Sequence, residues 1–126
     1  MPGGPSSRPD ARRAASVSLR EVQSLRSPQD FRRVLRNGTR HQRGALVLIR
    51  LPGRSGPPRL GLVVSKGAGN AVTRNRIKRR LRHAARELDM ETGTDYVIIA
   101  RREVAEVSFD KILRWLDAAL REARNA

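Results

Sequence analysis

Two rhythms of apolar residues run along this chain, and each predicts a different kind of element. Ala45-Leu46-Val47-Leu48-Ile49, Leu60-Gly61-Leu62-Val63-Val64 and Tyr96-Val97-Ile98-Ile99-Ala100 are short apolar runs bounded by turn residues, the pattern of buried strands. Pro52 stops the first run. The turn-rich connector Gly53 to Pro58 predicts an antiparallel, hairpin-like pairing of the first run with the second. A shorter strand is expected from Thr39 to Arg43.

Helical spacing appears between these runs. Phe31, Val34 and Leu35 share one face of a helix that starts at Ser27-Pro28-Gln29-Asp30 and stops at Asn37-Gly38. Ser27 suits the cap, Pro28 the first helical position, and Asp30 the return arm of a capping box. Ser108 caps a last helix with the stripe Phe109, Ile112, Leu113, Leu116 and Leu120. Asp110 in its first turn and Arg121 and Arg124 near its end suit the helix dipole. In the middle helix Ile77, Leu81, Ala84, Ala85 and Leu88 recur on one side. At about 100° per residue they occupy roughly a quarter to a third of the wheel. Because strand, helix and strand follow in order, 60–65 and 96–101 are candidate parallel neighbours. The expected fold class is α+β: a small two-layer α/β sandwich in the order α-β-β-β-α-β-α, with a mixed sheet of about four strands.

Charge changes the picture at the middle helix. Between Arg74 and Arg86 there are seven Lys/Arg side chains and no acid. Asn75, Arg79, Arg82 and Arg86 collect opposite the apolar stripe, flanked by Arg76 and Lys78. Like charges three and four residues apart destabilise a helix unless a polyanion is near. The whole chain agrees, with 27 − 12 = +15 net charge and a pI near 11.9. A domain this basic, with its charge focused on one helix, points to nucleic acid.

A chain of 126 residues fits one domain plus a tail. Residues 1–20, rich in Pro, Gly, Ser, Ala and Arg without periodicity, are expected to be a disordered basic tail, and 21–126 a single RNA-binding domain. There is no cysteine, which excludes disulfides and thiolate metal sites. No apolar run approaches the roughly 18 residues of a membrane span, so a cytoplasmic protein without a membrane partner is expected.

Catalytic chemistry is hard to find. A protein nuclease needs clustered carboxylates for Mg²⁺, or His and Lys placed for proton transfer. The only histidines are His41 and His83, and the nearest mid-chain acids, Asp89 and Glu91, suit a solvated helix end. Ser65-Lys66-Gly67-Ala68-Gly69-Asn70 has the look of a phosphate loop but lacks the Gly-Lys-Ser/Thr ending of a nucleotide hydrolase.

Gly69-Asn70-Ala71-Val72 followed by Arg74-Asn75-Arg76 at the head of a basic helix resembles the signature of the bacterial ribonuclease P protein subunit. Asp30-Phe31-Arg32-Arg33-Val34 with Gly38, Leu60-Gly61-Leu62-Val63-Val64-Ser65-Lys66 and Asp95-Tyr96-Val97-Ile98-Ile99-Ala100-Arg101 resemble the family's other blocks in the same order. The resemblance implies a ribonucleoprotein that removes the 5′ leader of precursor tRNA, with the catalytic centre in its RNA subunit. It implies partnership with that RNA and with precursor tRNA, with no further protein required. Mg²⁺ is then expected in the holoenzyme, bound mainly by RNA. The family fold implies a left-handed crossover around the basic helix, against the usual right-handed rule.

Carried over residue by residue, the resemblance makes Arg74, Asn75, Arg76, Lys78, Arg79 and Arg82 the contacts to the catalytic RNA. Arg74 and Arg80 fall beside the apolar stripe, where shielding the helix stem competes with that role. The leader cleft maps to Phe31, Leu35, Val47, Ile49 and Lys66, although Leu35, Val47 and Ile49 suit a core equally well. Family members often carry aromatics where this chain has Leu35 and Ile49, and a second basic residue where it has Gly67. The aromatics here are Phe31, Tyr96, Phe109 and Trp115, and Trp115, near the edge of its stripe, suits packing better than stacking. A cleft this poor in aromatics is expected to hold a strand by shape and charge more than by stacking. The alternative reading is a structural RNA-binding protein such as a ribosomal component, which shares the charge but not the ordered blocks.

Overall fold

A computed structural model describes residues 22–125; the expected tail over 1–20 lies outside them. Strand β1 is Gln23–Ser24, helix α1 Pro28–Asn37, β2 Thr39–Arg43, β3 Leu46–Pro52 and β4 Arg59–Val64. Helix α2 is Ala71–Arg86, β5 Thr94–Ala100 and α3 Phe109–Asn125, with 3₁₀ turns at Lys66–Ala68 and Arg102–Ala105. The sheet has five strands in the order β1-β4-β5-β3-β2, one more than expected because the two-residue β1 adds to its edge.

The expected pairing of β3 with β4 does not form. Strand β5 lies between them, parallel to β4 and antiparallel to β3. The reason is apolar content on both faces: from Thr94 to Ala100 only Ile99 is more than slightly exposed. A strand buried on both sides belongs at the centre. The parallel neighbours expected across α2 are therefore β4 and β5. Strand β2 pairs antiparallel with β3 through a two-residue turn at Gly44 and Ala45. Gly44 has φ +56°, and a Cβ there would lie 2.0 Å from the Trp115 ring, so the indole rests directly on the turn.

Alternation along the strands separates two apolar layers. Leu46, Leu48, Leu60, Tyr96 and Ile98 face α2 and α3, meeting Ile77, Leu81, Ile112 and Leu116 in the larger core. Ile49 and Val97 face the other way, beneath Val34 of α1. Sheet and paired helices thus form the main sandwich, and α1 covers only part of the opposite face.

The helix ends follow their sequence signals unevenly. Asn70 caps α2, its side chain accepting from the Thr73 N–H at 3.0 Å, and the Ser108 hydroxyl accepts from the Lys111 N–H at 3.2 Å. Ser27 stands at the cap of α1 but its side chain makes no capping hydrogen bond. Asp30 is drawn instead to Arg33 and Arg59, because charged partners outcompete a single backbone amide. Glu91 likewise is not simply solvated; it accepts from the Arg50 guanidinium.

Candidate nucleic-acid interface

Helix α2 presents its charge as the wheel requires. Ile77, Leu81, Ala84 and Ala85 are buried, while Asn75, Arg76, Arg79, Arg82 and Arg86 are exposed and Arg74 and Lys78 half-buried. None of these cations pairs with an acid among the described residues. Arg80 behaves differently. Its guanidinium donates to the carbonyl oxygens of Val104 and Val107, both at 2.6 Å, pinning the segment that leads into α3. Burial, and then the neighbouring charge of Arg76, lower its pKa from the ordinary arginine value. Arg80 is a structural tie, whereas Arg74 keeps only its Nε buried and without a hydrogen bond.

On the α1 face the strand register lays residues in rows. Gly61, Val97, Ile49 and Arg40 form one row beneath the helix. Val63, Ile99, Val47 and Gln42 form the next, and there the floor is only half covered. Phe31 and Leu35 flank that floor from α1, both partly buried. The helix sits low because Gly61 has no side chain: a Cβ there would lie 2.5 Å from Phe31 Cζ. Gly38 allows the same at the other end, where a Cβ would lie 2.7 Å from Ile49 Cγ2. Lys66 is exposed, just beyond Val63 in the turn that follows β4. Of the five expected cleft residues, Phe31, Leu35 and Val47 are partly buried on the α1 face of the sheet, and Lys66 is exposed just beyond it. Ile49 does not line a cleft: at 0% exposure it supports the floor from beneath.

The sequence reading missed a second group of arginines. The Asp95 carboxylate, fully buried, accepts from Arg33 at 2.8 Å, from Arg54 at 2.7 Å and from Arg59 through both oxygens at 2.8 Å. Burial alone pushes the carboxyl pKa up. The hydrogen bonds from Arg59, Arg54 and Arg33 outweigh it and hold the group well below the usual carboxylate range. This cluster ties α1 to β4, β5 and the connector between β3 and β4. An acid heading an otherwise apolar strand, in a chain with surplus arginine, was the available signal.

The two histidines lie in different settings. His41 is buried, with Nε2 2.9 Å from Thr39 Oγ1 and Nδ1 3.5 Å from Glu122. His83 is a surface residue of α2, edge-on to the Phe109 ring at 5.9 Å. Among the described residues no group of three or more His, Asp or Glu side chains is arranged to hold a metal ion. Nor is any helix there long and apolar enough to cross a membrane.

Comparison with known proteins points one way. The family model for Ribonuclease P matches residues 19–124. The chain is 39% identical over 108 residues to the ribonuclease P protein component of Roseiflexus sp., covering 83% of this chain and 88% of that protein. The Bacillus cereus ribonuclease P protein component is 36% identical over 104 residues, covering 80% and 87%. The solved structure of the Staphylococcus aureus RNase P protein superposes with a TM-score of 0.70 at 27% identity, covering 82% of this chain and 96% of that one. A match in sequence and in fold over most of its length shows that the chain belongs to the ribonuclease P protein family.

Proposed function

We propose that the chain serves as the protein subunit of ribonuclease P, with α2 docking on the catalytic RNA and the groove beside α1 receiving the 5′ leader of precursor tRNA. One observation carries this reading: a row of cations on α2 that finds no acid among the described residues. Arg74, Arg76, Lys78, Arg79 and Arg82 neutralise phosphates, releasing counterions, and the planar fork of each arginine bridges two oxygens. Asn75, exposed between them, offers an amide to the same backbone.

The leader lies over Val47, with Phe31 and Leu35 at one side and Lys66 at the end. Phe31 offers a ring to a base, and Lys66 a charge to a phosphate. Ile49 contributes only by keeping the floor in place. The RNA subunit performs the cleavage and holds the Mg²⁺, which supplies charge stabilisation and an activated water; this chain's residues bind and orient. The setting is the cytoplasm, where both RNAs are met.

Reconstitution tests the division of labour. The protein alone with Mg²⁺ should leave precursor tRNA intact. Adding it to the catalytic RNA at moderate salt should sharply stimulate removal of the leader. Robust cutting by the protein alone overturns the proposal.

A further inference from the structure

Beyond the groove the sheet ends in a lip, and on the far side of that lip is a second feature. Ala45 precedes Val47 by two residues, about 7 Å at roughly 3.3 Å per residue. The Arg101 N–H donates to the Ala45 carbonyl at 3.0 Å, so the two residues form the lip together. A cavity of about 330 Å³ opens there, lined by Gly44, Ala45, Arg101, Glu103, Lys111 and Trp115, with Val107 behind. One side of the indole is seated against Gly44. The Lys111 ammonium stands 5.8 Å from the ring centroid, at the long end of a cation–π contact. Trp115 is half-buried although α3 carries fully buried leucine and isoleucine for its core.

We infer that Trp115 and Lys111 form a base-stacking site for a single-stranded RNA that leaves the leader groove over the Ala45–Arg101 lip. The inference rests on the groove holding the leader, as proposed above. A flat aromatic ring beside a mobile cation is the arrangement that holds a base and its phosphate without reading sequence. Arg101 and Lys111 against Glu103 leave the lining with 2 − 1 = +1 charge, which favours a polyanion. The cavity is large enough for a base once the long Lys111 side chain swings aside toward the phosphate. The larger cavity at the opposite end of the sheet, about 840 Å³, lacks this character: its Arg50 and Arg54 are already paired, with Glu91 and Asp95. Trp115 packs against Gly44 on one side, as expected, and lines the cavity with the other.

Trp115 is the only tryptophan in the chain, so its fluorescence reports the site directly. The reconstituted holoenzyme is titrated with precursor tRNAs carrying either a one-nucleotide or a long leader, following emission and affinity together. The long leader should quench emission, and the short one should not. Trp115→Ala should remove about 5- to 150-fold of affinity for the long-leader substrate, the range that a base–aromatic stack of roughly 1–3 kcal/mol spans, and leave the short-leader substrate unchanged. Trp115→Phe keeps a ring against Gly44, guards against misfolding, and should restore most of the loss. Wild-type affinity that rises with leader length, with no quenching and no effect of Trp115→Ala, overturns this site and leaves the leader groove standing. Affinity indifferent to leader length in the wild type overturns both.

Discussion

Arginine is used in two opposite ways in this molecule. On α2 Arg76, Arg79, Arg82 and Arg86 stand in solvent with no acid beside them among the described residues. Around Asp95 three arginines converge on one buried carboxylate. The residue type is the same, and the partner decides the role. Where the protein supplies the counter-charge, arginine fastens α1 and the connector to the sheet. Where it withholds one, the charge is left for a ligand. Arg80 shows that the boundary runs through a single helix, since it sits among the free cations yet spends its donors on two backbone carbonyls.

Substitutions can break this contrast, and the largest effect is expected beneath the cations. Leu81 is fully buried, so Leu81→Ala should cost about 2–5 kcal/mol of stability in denaturant unfolding. The salt dependence of RNA binding by the folded protein should not change.

Next comes the paired cluster. Asp95→Asn should cost about 3 kcal/mol, the lower end for breaking a buried ion pair, because the arginines keep some contact with water. The substitution should also alter the response to pH. The folded carboxyl has a depressed pKa, so its contribution is present above the unfolded value of about 3.9 and is lost as pH falls toward the folded one. Unfolding midpoints measured from roughly pH 7 to 3 should therefore fall less steeply in the variant than in the parent. Equal slopes would mean that the cluster does not stabilise the fold through ionised Asp95.

A smaller loss separates Arg80 from its neighbours. Arg80→Ala removes two hydrogen bonds from a charged donor and should cost about 1–3 kcal/mol, with the salt slope of RNA binding unmoved. Arg79→Ala and Arg82→Ala should do the reverse. Stability should hold, while each lowers the log–log salt slope of RNA binding by roughly 0.7 to 1. An unchanged slope in both would show that these side chains do not reach the RNA backbone.

The outer face of α2 was legible along the chain because helical periodicity is local: residues three and four apart must share a side whatever surrounds them. The apolar runs declared β3, β4 and β5 for the same reason. Their order was not legible, since pairing is settled by which strand has both faces to bury, and Thr94–Ala100 wins the centre only in competition with the others. Ile49 and Val47 look alike as neighbours in one run. They differ because Ile49 lies under α1 and the close approach at Gly38 and is fully buried, whereas Val47 is only partly covered.

Periodicity and charge count, then, settled from composition and spacing alone that a basic amphipathic helix exists and which side of it is wet. Contacts between residues far apart in the chain settled the rest: that Asp95 gathers Arg33, Arg54 and Arg59, that Arg80 turns inward, and that Trp115 rests on Gly44. Such contacts depend on where other elements come to lie, and spacing along one element carries no information about that.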